Sequence, residues 1–155
     1  KIPPANTRRV SRGLEVMHTT WVKFSQQSVS QPVYDALVLG LTTERKALYQ
    51  RINARVELML QAGLVSEVKQ VLAKAGPDAQ ALKAIGYKEL LPYLQGEASL
   101  AEAVALIQKN SRHYAKRQLT YFNHQMPTHW FDLVAKPDTY QELLTLVSNW
   151  REMEE

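Results

Sequence analysis

The chain contains no cysteine. That excludes disulfides, thiolate metal sites and a cysteine nucleophile, and it fits a reducing cytoplasm. No apolar run approaches the roughly 20 residues needed for a membrane-spanning helix, and no signal-peptide pattern is present. We therefore expect a cytoplasmic protein without a membrane partner. Glycine is sparse, and none of the six glycines stands in a G-x-x-x-x-G-K-[ST] phosphate loop. The four histidines have no metal-ligand spacing, and no Ser-His-Asp or paired-carboxylate arrangement offers a self-contained active site. We accordingly assign no catalytic residue and no metal ligand within this chain.

What is present is enough for a folded unit with a real core: 155 residues, 45% of them hydrophobic. Nineteen basic residues against fifteen acidic ones give a net charge of +4. This permits a polyanionic partner without demanding one, so the position of the charges matters more than their sum. The first residue is Lys1 and a Pro3-Pro4 turn follows, from which we expect a portion of something longer.

Pro3 and Pro4 fix an extended entry, and Asn6 or Thr7 can cap a helix with Val10, Leu14 and Met17 at helical spacing. The polar stretch 19–32 reads as a loop. Tyr34 to Leu41 reads as a strand covered on both faces, although a short buried helix would look similar. Thr42 or Thr43 then caps a helix through Leu48, Ile52, Val56 and Met59 that ends near Gly63. A shorter helix carries Leu64, Val68, Val71 and Leu72 and stops at Gly76-Pro77. The segment 79–95 is a broken helical region, with Gly86 inside it and Pro92 limiting it. Ser99 and Glu102 form a capping box opening a long helix to about His124, roughly 39 Å at 1.5 Å per residue. Residues 129–133 read as a second strand and 137–150 as a final helix. The expected class is mainly α with two short strands. A single unit over 1–155 is the simplest organisation, with parts at 1–62, 63–126 and 127–155. Two isolated strands cannot make a stable sheet, so further strands are expected outside this chain.

Charge is concentrated on particular faces. Lys109, Arg112, His113 and Lys116 lie at offsets of three, four and seven, with Arg117 at the margin. A clustered basic face beside aromatics points toward RNA phosphates, whereas its alternative is a solvated surface. Arg8, Arg9 and Arg12 form a second cluster, suited to a phosphate by the guanidinium fork or neutralised by Glu15. Arg51 and Arg55, one turn apart, either share an anion or are neutralised by Glu44 and Glu57. Lys83, Gly86, Tyr87 and Lys88 combine charge, a close backbone approach and a stacking or hydrogen-bonding ring. Tyr114, Leu119 and Phe122 are read as packing residues, and Gln118 as turned inward.

Five ordered motifs carry a resemblance. They are Asn6-Thr7-Arg8-Arg9-Val10-Ser11-Arg12-Gly13-Leu14-Glu15, Leu48-Tyr49-Gln50-Arg51-Ile52-Asn53-Ala54-Arg55, Met59-Leu60-Gln61-Ala62-Gly63-Leu64, Ala84-Ile85-Gly86-Tyr87-Lys88-Glu89-Leu90, and Ser111 to Phe122 followed by Trp130-Phe131-Asp132. Together they resemble the C-terminal half of bacterial tRNA dimethylallyltransferases. The resemblance implies the C-terminal part of a P-loop NTPase-like α/β fold whose other sheet strands are absent from this chain. The phosphate loop, an Asp-Ser acceptor-recognising motif and an inserted helical domain would lie in the front half. It implies transfer of a dimethylallyl group from dimethylallyl diphosphate to N6 of the adenosine adjacent to the tRNA anticodon, with Mg2+ bound through that front half and the diphosphate. The partners would be the tRNA anticodon stem-loop and dimethylallyl diphosphate, the enzyme a monomer, and this piece alone inactive. By the same resemblance Arg9 and Arg55 contact the diphosphate. The tRNA contacts are Arg8, Arg9, Val10, Ser11, Arg12, Lys83, Gly86, Tyr87, Lys88, Lys109, Arg112, Lys116 and Arg117. Gly13, Thr20, Tyr121 and Asn123 depart from the family's usual Ala, Gly, Trp and basic residue, and none of them removes a proposed charge. The alternatives are an adenylate isopentenyltransferase acting on free nucleotides, against which the long basic helix argues, and a non-catalytic helical RNA-binding module, against which the unpartnered strands argue.

Overall fold

A computed structural model describes residues 5–23, 26 and 34–152. Their contacts fall into two units, Lys1–Ala36 and Leu37–Glu155. The expected Pro3-Pro4 entry and most of the loop read at 19–32 lie outside the described residues.

The first unit is built on α1 (Thr7–Thr20). Asn6, rather than Thr7, caps it, its Oδ1 accepting from the Arg9 N–H at 3.2 Å. Thr19 and Thr20 belong to the helix and donate their hydroxyls back to the carbonyls of Glu15 and Val16. Gly13 is buried, whereas Leu14 and Met17 of the expected apolar stripe are 61% and 41% exposed.

The second unit begins with β1 (Val38–Leu41), shorter than the expected 34–41 because Asp35 folds back locally, accepting from the Ala36 N–H at 2.9 Å. Residues 38–40 are half-buried and Leu41 is exposed, so the strand is not covered throughout. The following helix, α2 (Arg45–Gln61), is capped by Glu44 through the Ala47 N–H and not by Thr42 or Thr43. The reason is that Thr42 still belongs to the sheet's hydrogen bonding, its N–H donating to the Phe131 carbonyl at 3.0 Å. Gly63, at φ +101°, reverses the chain into α3 (Leu64–Ala75). A 3-10 turn at Gln80–Lys83, a run of turns and the short α4 (Leu91–Leu94) make the broken region.

The long helix α5 (Leu100–Gln125) opens with the full capping box: Ser99 Oγ accepts from the Glu102 N–H, and Glu102 Oε2 accepts from Ser99 N–H and Oγ–H. Both backbone and hydroxyl donors hold the Glu102 carboxyl below its usual pKa. β2 (Thr128–Phe131) and α6 (Thr139–Glu152) complete the chain, each displaced by a residue or two from its sequence estimate. The strands read as isolated pair with each other, in parallel, with Val38 opposite Thr128 and Gly40 opposite Trp130. Gly40 is required there: a Cβ would lie 2.4 Å from Trp130 Cε3 and 2.7 Å from Thr128 Cγ2.

The core sits among the helices, in Val56, Leu64, Val68, Leu82, Leu90, Ala103 and Ile107. It pins α5 against α2 and against the turn containing Gly86. Among the described residues, no helix is long and apolar enough to cross a membrane.

Candidate nucleic-acid interface

Helix spacing places Ile52, Val56 and Met59 on one side of α2, facing Ile107 of α5 and Ile85 of the intervening turn. Together they wall a groove of about 450 Å³ whose polar side is Arg55, Gly86, Ser111 and Tyr114. Arg55 and Arg51 are exposed, and among the described residues neither joins an ion pair. The carboxylates expected as neutralisers are engaged elsewhere: Glu44 caps α2, and Glu57 accepts from Gln108 Nε2 at 2.9 Å. A permanent cation beside an apolar wall is available to an anion that water screens less there than in bulk.

The Gly86 turn requires glycine for its backbone, φ +99°, rather than for space. Its N–H donates to Glu89 Oε2 at 2.8 Å. Glu89 is, among the described residues, the buried charged one, 3% exposed, and its Oε1 accepts from Asn110 Nδ2 of α5 at 2.6 Å. Lys88, half-exposed, keeps its Nζ 3.8 Å from the same oxygen. Lys83 is exposed at the end of the 3-10 turn. Tyr87 is half-buried, and its hydroxyl donates to Glu67 of α3, which raises the phenol's pKa above its ordinary value.

Along α5 the expected basic face divides. Lys109, His113, Lys116 and Arg117 are exposed, but Arg112 is half-buried. Arg112 turns toward α2, its Nη1 donating to Asn53 Oδ1 at 2.7 Å and its guanidinium lying 6.0 Å from the Tyr49 ring. Arg45 sits on the same ring at 5.2 Å and donates its Nε–H to the Tyr49 hydroxyl. His113, Lys116 and Arg117 instead share a shallow open concavity with Tyr121 and His124. Arg117 lies 5.8 Å from the Tyr114 ring. Leu119 and Phe122 are half-buried and border a cavity against Leu39 and Trp130, whereas Gln118, expected to point inward, is exposed at its edge.

In the first unit Arg8, Arg9, Ser11 and Arg12 are exposed and Val10 is half-buried. Arg12 pairs with Glu15 at 3.0 Å, both side chains well exposed, a contact of little energetic value. The structure thus gathers Arg55, Gly86 and Ser111 at one groove and Lys116 and Arg117 at an open helix face, and puts Arg9 in the other unit. Asn53, Glu67, Glu89 and Asn110 were not singled out as site residues. Asn110 was findable, because it continues the buried row of Ala103 and Ile107, where a polar residue signals a buried partner. Among the described residues no three His, Asp or Glu side chains cluster to hold a metal.

Residues 1–125, which include the groove and the whole of α5 with its basic face, match the family model described as IPP transferase. The chain is 60% identical over 150 residues to the tRNA dimethylallyltransferase of Lacticaseibacillus casei, covering 97% of this chain and 48% of that protein. It is 49% identical over 150 residues to the tRNA dimethylallyltransferase of Limosilactobacillus reuteri, covering 97% of this chain and 49% of that protein. Among solved structures, the tRNA delta(2)-isopentenylpyrophosphate transferase of Staphylococcus epidermidis superposes with a TM-score of 0.70 at 34% identity, covering 96% of this chain and 51% of that one. The full-length tRNA isopentenylpyrophosphate transferase of Bacillus halodurans gives a TM-score of 0.72 at 39% identity, covering 96% of this chain and 46% of that one. The chain therefore spans about half the length of the curated relatives it matches. With the family model extending over most of its residues and the same fold in solved relatives, this chain belongs to the IPP transferase family.

Proposed function

We propose that the protein carrying this chain transfers a dimethylallyl group from dimethylallyl diphosphate to the exocyclic N6 of the adenosine adjacent to the tRNA anticodon. The observation that carries this reading is the 60% identity to a tRNA dimethylallyltransferase across 97% of the chain. In the reaction N6 attacks the C1 carbon of the donor, the C–O bond to the diphosphate breaks, and pyrophosphate leaves. The N6 proton passes to an acidic residue outside this chain.

The base must leave its stack to react, so a protein must hold the flanking backbone while the base is extruded. Arg8, Arg9, Val10, Ser11 and Arg12 of α1, Lys83, Gly86, Tyr87 and Lys88 of the turn, and Lys109, Lys116 and Arg117 of α5 are the contacts we assign to the anticodon stem-loop, with Arg112 reaching it only through the guanidinium N–H groups that Asn53 leaves free. The exposed cations among them would give salt-sensitive, largely sequence-independent affinity. Arg9 and Arg55 are assigned to the diphosphate, where permanent positive charge stabilises the departing pyrophosphate. Mg2+ is proposed to rest on the diphosphate and on residues outside this chain. The enzyme is proposed to be a cytoplasmic monomer.

The test is transfer of labelled dimethylallyl diphosphate to an anticodon stem-loop by the full-length protein. Arg55→Ala is expected to abolish transfer while RNA binding persists. Lys116→Ala/Arg117→Ala is expected mainly to weaken RNA binding. Full-length protein that binds the stem-loop without any transfer would sink the enzymatic reading and leave an RNA-binding module.

A further inference from the structure

A buried carboxylate that takes no part in the proposed chemistry joins the two RNA-facing elements of the second unit. Glu89 is 3% exposed and spends each oxygen on a different partner: Oε2 on the Gly86 N–H at 2.8 Å, Oε1 on Asn110 Nδ2 at 2.6 Å. The first partner is in the turn that carries Lys83, Tyr87 and Lys88, and the second is in α5, between Lys109 and Arg112. Burying a carboxylate is costly unless its oxygens are hydrogen-bonded. Here the bonds also fix geometry, because the Gly86 amide is held at a left-handed backbone position, φ +99°. Gly86 in turn borders the groove that contains Arg55.

We propose that the Glu89–Asn110 pair is a positioning device, a brace that sets the Gly86 turn against α5 so that one RNA backbone meets both elements in register. The proposal rests on the tRNA reading above. Neither side chain touches RNA in it. Asn110 contributes only through Glu89, and Glu89 only through the turn, so the consequence of breaking the brace is lost RNA affinity with the donor site spared.

The decisive variant is Asn110→Ala in the full-length protein, because it cuts the α5 end of the brace and leaves Glu89 its Gly86 and Lys88 contacts. Glu89→Gln is the companion. Its amide oxygen still accepts from the Gly86 N–H, and its Nε2 donates to Asn110 once that side chain flips, so it retains both links while losing the charge. Stem-loop Kd by fluorescence anisotropy, KM for each substrate and the melting temperature are measured for all three proteins.

We expect Asn110→Ala to weaken stem-loop binding about tenfold, the size of one lost buried hydrogen bond. KM for dimethylallyl diphosphate should change less than about twofold, and Glu89→Gln should retain most of the wild-type RNA affinity. Unchanged RNA affinity in Asn110→Ala overturns the brace. So does a fall in melting temperature accompanied by a parallel rise in both KM values, which marks a merely structural pair. If the wild-type protein binds the stem-loop but transfers nothing, the enzymatic reading falls while the Kd comparison still decides the brace. Wild-type protein that binds no stem-loop overturns both.

Discussion

The two halves of α5 use the same kinds of residue for opposite ends. Between Leu100 and Arg112 the helix buries Ala103 and Ile107 and ties Gln108 to Glu57, Asn110 to Glu89 and Arg112 to Asn53. From His113 to Gln125 its basic side chains are exposed and their described contacts are local, such as Arg117 over Tyr114. Arg112 and Lys116 are one helical turn apart, yet one is occupied by the protein and the other is open to solvent. A cation's position on a helical wheel therefore does not say whether it is available to a ligand. Whether the neighbouring helix supplies an acceptor does, and Asn53 supplies one to Arg112.

Four measurements on the full-length protein break or sharpen this contrast. Ile107→Ala strikes the packed half and should cost about 2–5 kcal/mol in urea denaturation, since the side chain is only 1% exposed. A loss below about 2 kcal/mol, the low edge for truncating a buried isoleucine to alanine, would mean that half is not packed as described. Arg112→Ala should cost about 1–3 kcal/mol, because it orphans Asn53 and uncovers Tyr49. A change confined to RNA affinity would instead place Arg112 among the freely available cations. Lys116→Ala/Arg117→Ala should leave stability within about 0.5 kcal/mol, and should lower the slope of log Kd against log salt by about 1.5. An unchanged slope would remove both side chains from the phosphate backbone.

The smallest effect concerns the cap that begins the packed half. The Glu102 carboxyl is depressed by its Ser99 hydrogen bonds, so its contribution is present above the unfolded pKa, near 4.5, and is lost as pH falls through the lower folded value. Circular dichroism in an acid titration should accordingly show wild type and Glu102→Gln diverging at neutral pH and converging as pH falls below 4.5. A constant difference down to pH 2, about two units below the carboxyl's ordinary range, would show that the carboxylate is not part of the cap.

Much of the helical framework was legible because its signals are local. Ser99 and Glu102 announce a helix start through a three-residue spacing, and Gly63 and Gly76 announce stops by backbone freedom alone. The strand pairing was not legible, since Val38 and Thr128 meet only through the intervening helices and nothing near either one names the other. The same distance hid the α2 cap: Thr42 looked like a cap until Phe131 claimed its N–H for the sheet. Within the candidate site, charge and glycine motifs brought attention to Arg55, Gly86 and Lys116. Charge could not distinguish Arg112 from Lys116, and Glu89 inside a quoted motif gave no sign of burial. Tyr87 read as a stacking or a hydrogen-bonding ring until Glu67 accepted its hydroxyl hydrogen.

The missing side chain at Gly40 has a further consequence, for how this sheet can change over evolutionary time. The indole of Trp130 occupies the volume where a Cβ at position 40 would stand, so the two positions behave as one compound site. A descendant can gain a methyl at 40 only after the ring at 130 has shrunk or turned. Among relatives the pair should thus exchange together, large with absent or small with small, and an alanine opposite an intact tryptophan should be found only where the strands have shifted register.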